Sequence, residues 1–392
     1  MEPQRGDNQP LAAHLRAGAT AALVAWALLL AASAEARAAG SYYVCNQPGQ
    51  TGPGGLGCSF SSVDQVNNAA VAAGAAVYFA SGDRFSDATL YPRSGVTYAS
   101  YAPPQGAGPE GGIRAILAPA SGSNAVTFFG ASDVTLDGLQ LDGGDAGRNL
   151  RDGVFSSENS ANSSVNDEIE HCAIDNWARG IQTGYADSDW TIAENTIDSI
   201  ALDGVYFARS RDRGGVGPVH DIVTGNWITN TGVFPHAGGN ANPVHGIYDN
   251  SIDSQVTGNT ISNFQSDGVS LRFRGSLVSD NVISGGEIGI AWFQEDSVAA
   301  TSTWKGNLVV GVSQAGLFVC GAADGCDQPR ERLLIEDNRI AVDAGVGCME
   351  LRPSAGAYVV AGNLCLPAER EIAPLVTSSY VAAGPTSMGY PW

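Results

Sequence analysis

The chain has 392 residues, with 40 acidic residues against 20 Lys and Arg, and a net charge of −20. That balance leaves no basic face to neutralise phosphates and sets nucleic-acid binding aside. An anionic partner would have to be held by a local arginine cluster, not by the overall field of the protein.

Arg5, His14 and Arg16 precede an apolar run from Ala17 to Ala32, and Ala36-Arg37-Ala38 follows as a small-x-small cleavage site. This is the layout of a secretory signal peptide over residues 1–38, so the protein is expected to be exported. No later stretch is long and apolar enough to insert in a membrane. Seven cysteines in an exported chain point to disulfides. The economical local pairs are Cys45 with Cys58, Cys320 with Cys326 and Cys348 with Cys365, which leaves Cys172 as a buried thiol.

Residues 39–125 read as a cap followed by the first coils of a repeat. Ser41–Val44 is a short strand. Val63, Val66, Ala70 and Ala73 are spaced for an amphipathic helix over Ser62–Ala73. Ser61 or Ser62 can cap its start and Gly74 can end it. A solenoid must close its first coil against water, so this helix is expected to act as the lid. Regular coils are expected over 126–366. Asp142 to Val165 reads as a polar insertion, and Arg209–His220 and Thr231–Val244 as two further insertions. Residues 367–392 form a tail without the repeat.

Two short phrases organise residues 126–366. The first is Asn followed two residues later by an apolar residue, as in Asn195-Thr196-Ile197, Asn226-Trp227-Ile228, Asn259-Thr260-Ile261 and Asn281-Val282-Ile283. It continues at Asn307, Asn338 and Asn363, with Gly138 and His171 expected in the Asn place of the earliest coils. The second is a polar or small residue, Gly, then an apolar residue, as in Arg179-Gly180-Ile181, Asp203-Gly204-Val205, His245-Gly246-Ile247 and Asp267-Gly268-Val269. The Asn copies fall 22–33 residues apart, a repeat period typical of solenoids. The apolar runs are short, β-branched and alternating, so each is a strand. Every coil adds a rung about 4.8 Å from the last. Asn suits a turn and can bond its equivalents above and below, and Gly suits the bend back into a strand.

With the exported layout, the cap helix and His245-Gly246-Ile247-Tyr248, these phrases resemble the right-handed parallel β-helix superfamily, which includes pectate-lyase-like proteins. The resemblance covers most of residues 41–366 and implies an all-β, single-stranded parallel β-helix with an N-terminal capping α-helix. It also implies a carbohydrate-active protein. Polygalacturonase signatures are absent: the sequence has no Asn-Thr-Asp, no paired Asp-Asp and no Arg-Ile-Lys. The Lys-then-Arg pair of chondroitinase-like lyases is not evident, and Lys305, the single lysine, lies two residues before a ladder Asn.

Aligned on the Gly phrase, Asp203, His245 and Asp267 would stack on successive rungs about 5 Å apart. A His between two carboxylates favours its protonated form and could serve as acid or base. Asp-Gly and His-Gly are equally ordinary turn chemistry. Strand alternation places the second residue after Gly outward, as at Gln182, Tyr206 and Tyr248, and the fourth likewise, as at Asn250, Arg272 and Phe293. Rings interleaved with polar groups suit a sugar-binding face, and the same stack could be cross-rung packing. Arg209, Arg211, Arg213, Arg272 and Arg274 are dense for so acidic a chain. An Arg could clamp a uronate carboxylate or merely pair with nearby Asp.

Three functions follow. The first is a lyase on a uronate-containing glycan: His245 or Tyr248 moves the proton, Arg272 neutralises the carboxylate, and Asp203 and Asp267 orient the His. Tyr206, Asn250, Phe293, Gln182 and Arg274 would bind substrate, and Asp249 could hold Ca²⁺. The second is a glycoside hydrolase using two of Asp203, Asp249, Asp267 and Glu287. The third is a non-catalytic glycan-binding solenoid. In each the partner is a polysaccharide and the protein is expected to be a monomer.

Overall fold

The computed structural model describes residues 40–102, 113–120, 122–144, 151–157, 160–209, 217–232, 244–293, 300–320, 332–342, 345–351, 357–367 and 380–383. The expected signal peptide, Arg211, Arg213, His236, Cys326 and most of the tail lie outside the described residues, as do the middles of both long insertions.

Three sheets run the length of the solenoid, with thirteen, eleven and nine strands among the described residues. They are called sheets 1, 2 and 3 in the order in which a coil meets them. One coil reads Thr191–Ala193 in sheet 1, Thr196–Ile200 in sheet 2 and Val205–Phe207 in sheet 3, before Ile222–Thr224 begins the next. Each strand pairs in parallel with its equivalents in the neighbouring coils, as Ile197 with Ile228 and Ile228 with Ile261. The exception is Tyr380–Ala383, which lies antiparallel on Ala357–Ala361 at the far edge of sheet 1. Among the described residues no helix is long and apolar enough to cross a membrane.

The coils stay in register because each sheet sends one aliphatic column inward. In sheet 2 this is Ile174, Ile197, Ile228, Ile261 and Ile283, all fully buried. In sheet 3 it is Ile181, Val205, Ile247, Val269 and Ile290. Each such side chain contributes about 1.5–3 kcal/mol by leaving water, and a one-residue slip would turn the whole column outward.

The Asn ladder forms, one position away from where the sequence suggested for the early coils. Asn226 donates from its backbone N and its Nδ2 to Asn259 Oδ1, at 2.9 and 3.0 Å, and from Nδ2 to Ile192 O at 2.8 Å. The same set repeats at Asn195, Asn259, Asn281 and Asn307. Cys172 occupies the ladder position above, with its N–H bonded to Asn195 Oδ1. Gly138 and His171 instead stand one residue earlier, in a left-handed column with Glu194 (φ 63°, 53° and 54°). The bend at this corner is therefore made by the residue before Asn. Asn itself supplies the buried donors and acceptor.

Glycine in the second phrase is required by close approach. A Cβ on Gly204 would lie 2.6 Å from both Gly246 O of the next coil and Ile228 Cγ2. The segment expected to be a polar insertion after Asp142 contains a sheet 3 strand, Val154–Ser156, preceded by Asp152-Gly153.

The N-terminal helix is shorter than its pattern suggested. It covers Val63–Asn68, hereafter α1, and Ser62 caps it by accepting from Gln65 N. Asn67 ends it by bonding Thr89 O and Tyr91 N across the first coil, which competes with helix continuation. Val63 and Val66 of α1 are buried against the first coil, as a lid requires. Disulfides join Cys45 to Cys58 and Cys348 to Cys365. Cys172 is a free, buried thiol.

Candidate functional site

The residues preceding Gly in the second phrase form a ladder of alternating charge beneath the outer surface of sheet 3. Arg179 lies between Asp152 and Asp203, with Nη1 3.8 Å from Asp152 Oδ1 and Nε 3.6 Å from Asp203 Oδ2. His245 Nδ1 is 2.9 Å from Asp203 Oδ1, and its Nε2 is 3.3 Å from Asp267 Oδ2. The second contact is an ion pair out of line for a hydrogen bond, since Nε2 finds no hydrogen-bond partner. Asp203, His245 and Asp267 are thus brought together as the repeat alignment required. Asp152 extends the ladder. It was missed because its Asp-Gly-Val phrase fell within a segment read as an insertion.

His245 is nevertheless not an exposed acid–base group. Its side chain is 2% accessible, and its ring lies 4.7 Å from that of Tyr248. Burial alone would lower its pKa, but the contacts with Asp203 and Asp267 raise it to about 9. An imidazolium held by two carboxylates is a fixed charge at neutral pH. So buried a cation offers almost no surface to a substrate. Burial pushes Asp152 up to about 6 despite Arg179.

Above this ladder runs a second one, made of rings and guanidinium groups. Arg179 stacks on Tyr206, with Cζ 4.7 Å from the ring centroid. Tyr206 and Tyr248 are stacked at 5.3 Å. The Arg272 guanidinium lies 4.8 Å from the Tyr248 centroid and 4.2 Å from that of Phe293, and it hydrogen-bonds the Tyr248 side chain. Phe293 meets Phe318 at 5.6 Å. Tyr206, Tyr248, Arg272 and Phe293 are all half-buried, so each presents part of its surface outward. Burial lowers the pKa of Arg272, with Arg209 nearby acting in the same direction. One long insertion begins two residues after the sheet 3 strand Val205–Phe207, and the other ends three residues before the next sheet 3 strand, Ile247–Asp249, so both adjoin these coils.

Other expected substrate contacts are buried or lie off this row. Gln182 is 3% exposed and accepts from Arg179 Nη1 at 2.8 Å. Asn250 is fully buried, with Nδ2 donating to Phe207 O. Both lie on outward strand positions and are nevertheless buried. Arg274 sits in the turn beyond Arg272, where its carbonyl accepts from Asp253 N at 2.9 Å. Asp249 points into the solenoid in register with Leu271. Its carboxylate accepts from Ser251 N and Ser254 Oγ, and burial pushes its pKa up to about 6. An inward carboxylate of this kind does not offer Ca²⁺ a ligand at the outer face. Glu287 is exposed in the turn before Ile288–Trp292.

Comparison with known proteins places this geometry in context. The family model for periplasmic copper-binding protein (NosD) matches residues 122–300, the coils that carry the site. A lacto-N-biosidase of Eubacterium ramulus is similar at 15% identity and a TM-score of 0.55, over 84% of this chain and 68% of that one. Its selenomethionine derivative gives 13% and 0.51 over the same shares. An alginate lyase from Paenibacillus sp. str. FPU-7 follows at 13% and 0.46, over 84% and 97%. No curated protein matches the sequence. The fold is that of the right-handed parallel β-helix superfamily.

Within the NosD-like segment, Asp137, Glu170 and His171 bring potential metal ligands together, at the corner between sheets 1 and 2 and not on sheet 3. Both ring nitrogens of His171 are engaged by carboxylates, Nδ1 at 2.9 Å from Asp137 and Nε2 at 3.2 Å from Glu194. The bond to Asp137 raises the imidazole pKa, which favours the cation over the neutral ligand. Burial pushes the Cys172 thiol up to about 12, so no thiolate is available there. This cluster joins an imidazole to carboxylates, with no thiolate or thioether in it, and so is not a soft-ligand set for copper.

Proposed function

We propose that this protein is exported and acts on an acidic, uronate-containing polysaccharide by β-elimination at sheet 3. The observation that carries the reading is the Arg272 guanidinium seated between the Tyr248 and Phe293 rings, on the outer face and against the Tyr248 side chain. A planar cation suits a uronate carboxylate, and the rings suit a pyranose face. Arg272 would neutralise the charge that develops as the C5 proton leaves. The Tyr248 oxygen would take that proton. The C–H electron pair would form the C4=C5 bond, the C4–O bond would break, and Tyr248 would return the proton to the departing oxygen. The buried Asp203–His245–Asp267 row would hold Tyr248 in place from beneath.

Hydrolysis by paired carboxylates fits less well. Asp203 and Asp267 flank His245 and are both committed to it, so the imidazolium fills the space that water and sugar would need.

Purified protein incubated with polygalacturonate or alginate should yield the ultraviolet-absorbing unsaturated uronate. Tyr248→Phe should lower kcat by roughly a hundredfold or more, the usual scale for losing a proton-transfer group. Arg272→Lys should not restore what Arg272→Ala loses, because an ammonium cannot reproduce the planar fork. New reducing ends without that absorbance would replace elimination with hydrolysis.

A further inference from the structure

Two exposed rings lie on the same face, outside everything assigned so far. Tyr91 and Phe129 are 46% and 58% exposed, with centroids 5.8 Å apart and planes at 18°. Large rings left open to water in stacked pairs are unusual, since burial would gain more. Their place in the register is informative. Leu90 pairs with Val126, Val126 with Val154, Val154 with Ile181, Ile181 with Val205 and Val205 with Ile247. Tyr91 therefore stands in the outward column that continues through Thr127, Phe155, Gln182, Tyr206 and Tyr248. Phe129 stands at the rung position that Asn250 and Arg272 occupy four and five coils on. The row of Phe129 lies four rung spacings from that of Tyr248, about 19 Å along the axis.

We infer that Tyr91 and Phe129 form a distal stacking subsite for the same polysaccharide, which crosses the rungs and runs along the solenoid axis from Arg272 towards the capped end. The inference rests on the reading of sheet 3 as the glycan face. The pair has the chemistry that sugar stacking needs, namely flat, rigid rings with an open face, at an end of the face where hydroxyl and amide groups stand close by. Thr127 and Asn124 are bonded to one another there at 3.0 Å. Charge is concentrated at the other end, in Arg179, Arg209 and Arg272. The two ends would divide the work, with guanidinium groups holding carboxylate at the centre and rings holding sugar faces at the distance. Tyr91 shares one outward column of the register with Tyr206 and Tyr248, which favours a single long chain over a protein partner.

The test compares binding of sodium polygalacturonate and sodium alginate, each as polymer and as disaccharide, by wild type, Tyr91→Ala/Phe129→Ala, Phe129→Glu and Arg272→Ala. Loss of two ring contacts should weaken polymer binding about tenfold, from the usual worth of a stacked ring, and leave disaccharide binding at the wild-type level. Phe129→Glu should weaken polymer binding further through like charge. Arg272→Ala should weaken both ligands. Thermal melting should be unchanged in the ring variants, because both rings are exposed. Wild-type polymer binding by the ring variants, alongside loss in Arg272→Ala, would overturn the distal subsite and leave the central reading standing. No binding of either polyuronate by wild type would overturn both. Self-association of wild type that the ring variants abolish, with glycan binding intact, would identify the pair as a contact between copies instead.

Discussion

At the scale of single residues, the two repeated phrases carry different loads. Asn226 is fully committed: its side chain satisfies a carbonyl of one coil, while its Oδ1 accepts the N–H and Nδ2 of Asn195 at 3.0 Å each. All of these groups are buried, so removing the amide leaves several without partners, each costing about 1–3 kcal/mol. Asn226→Ala should accordingly cost about 3 kcal/mol or more, and Asn226→Asp should not rescue it, because the carboxylate would face Asn259 Oδ1. Urea unfolding measures both. Gly204→Ala should be comparably severe for the opposite reason. It adds an atom where backbone of the next coil already stands at 2.6 Å, and backbone cannot rotate away. Full stability in either variant would mean that the coil spacing is looser than this register implies.

At the scale of strands, the aliphatic columns were legible because their positions permit few residue types. Ile recurs at Asn+2 because an inward β-branched side chain fills that slot well. Ile228→Ala should cost about 2–5 kcal/mol, the range for such cavities. Outward columns were less legible. Alternation placed Gln182 and Asn250 outward correctly, yet both are covered. Alternation of period 2 gives the direction of a side chain and carries no information about what lies over it. The His245 reading went the same way. Its stacking between Asp203 and Asp267 could be read from the phrase spacing, but its depth beneath Tyr248 could not, since depth depends on how large the ring on the same strand is and where it lies. The one-residue slip in the early Asn ladder has a similar origin. Cys172 holds the ladder site with its backbone N–H on Asn195 Oδ1 and a weak thiol bond from Sγ to Leu136 O at 3.6 Å, so it reproduces part of the ladder without the amide that marks it in the sequence.

At the scale of the whole molecule, the ionisable groups enclosed by the solenoid make its stability fall as pH rises. Burial pushes Asp167 up to about 8 and Asp187 to about 6, and raises Asp221 well above the usual range. Asp249 joins them at about 6. An unfolded Asp titrates near 3.9, so between that value and the folded one the native state binds more protons than the unfolded state. Stability then declines with rising pH over that window. His245 has the same sign from a different cause. Its stabilisation by Asp203 and Asp267 is complete below about pH 6.5 and is lost as pH climbs through about 9. Self-repulsion of a chain with net charge −20 adds to the loss at the alkaline end. The melting temperature should therefore be highest in mildly acidic buffer and drop steadily to pH 9. Two substitutions separate the contributions. Asp167→Asn keeps an acceptor for Val134 N, which the native carboxylate bonds at 2.9 Å, and removes the titration; it should raise the melting temperature at pH 8 and flatten the profile between about pH 4 and 8. His245→Gln should destabilise below pH 7 by leaving two carboxylates without their cation, and should flatten the profile above it. A melting curve that rises from pH 5 to 8 in wild type would mean that the enclosed carboxylates are ionised and compensated in the folded coil.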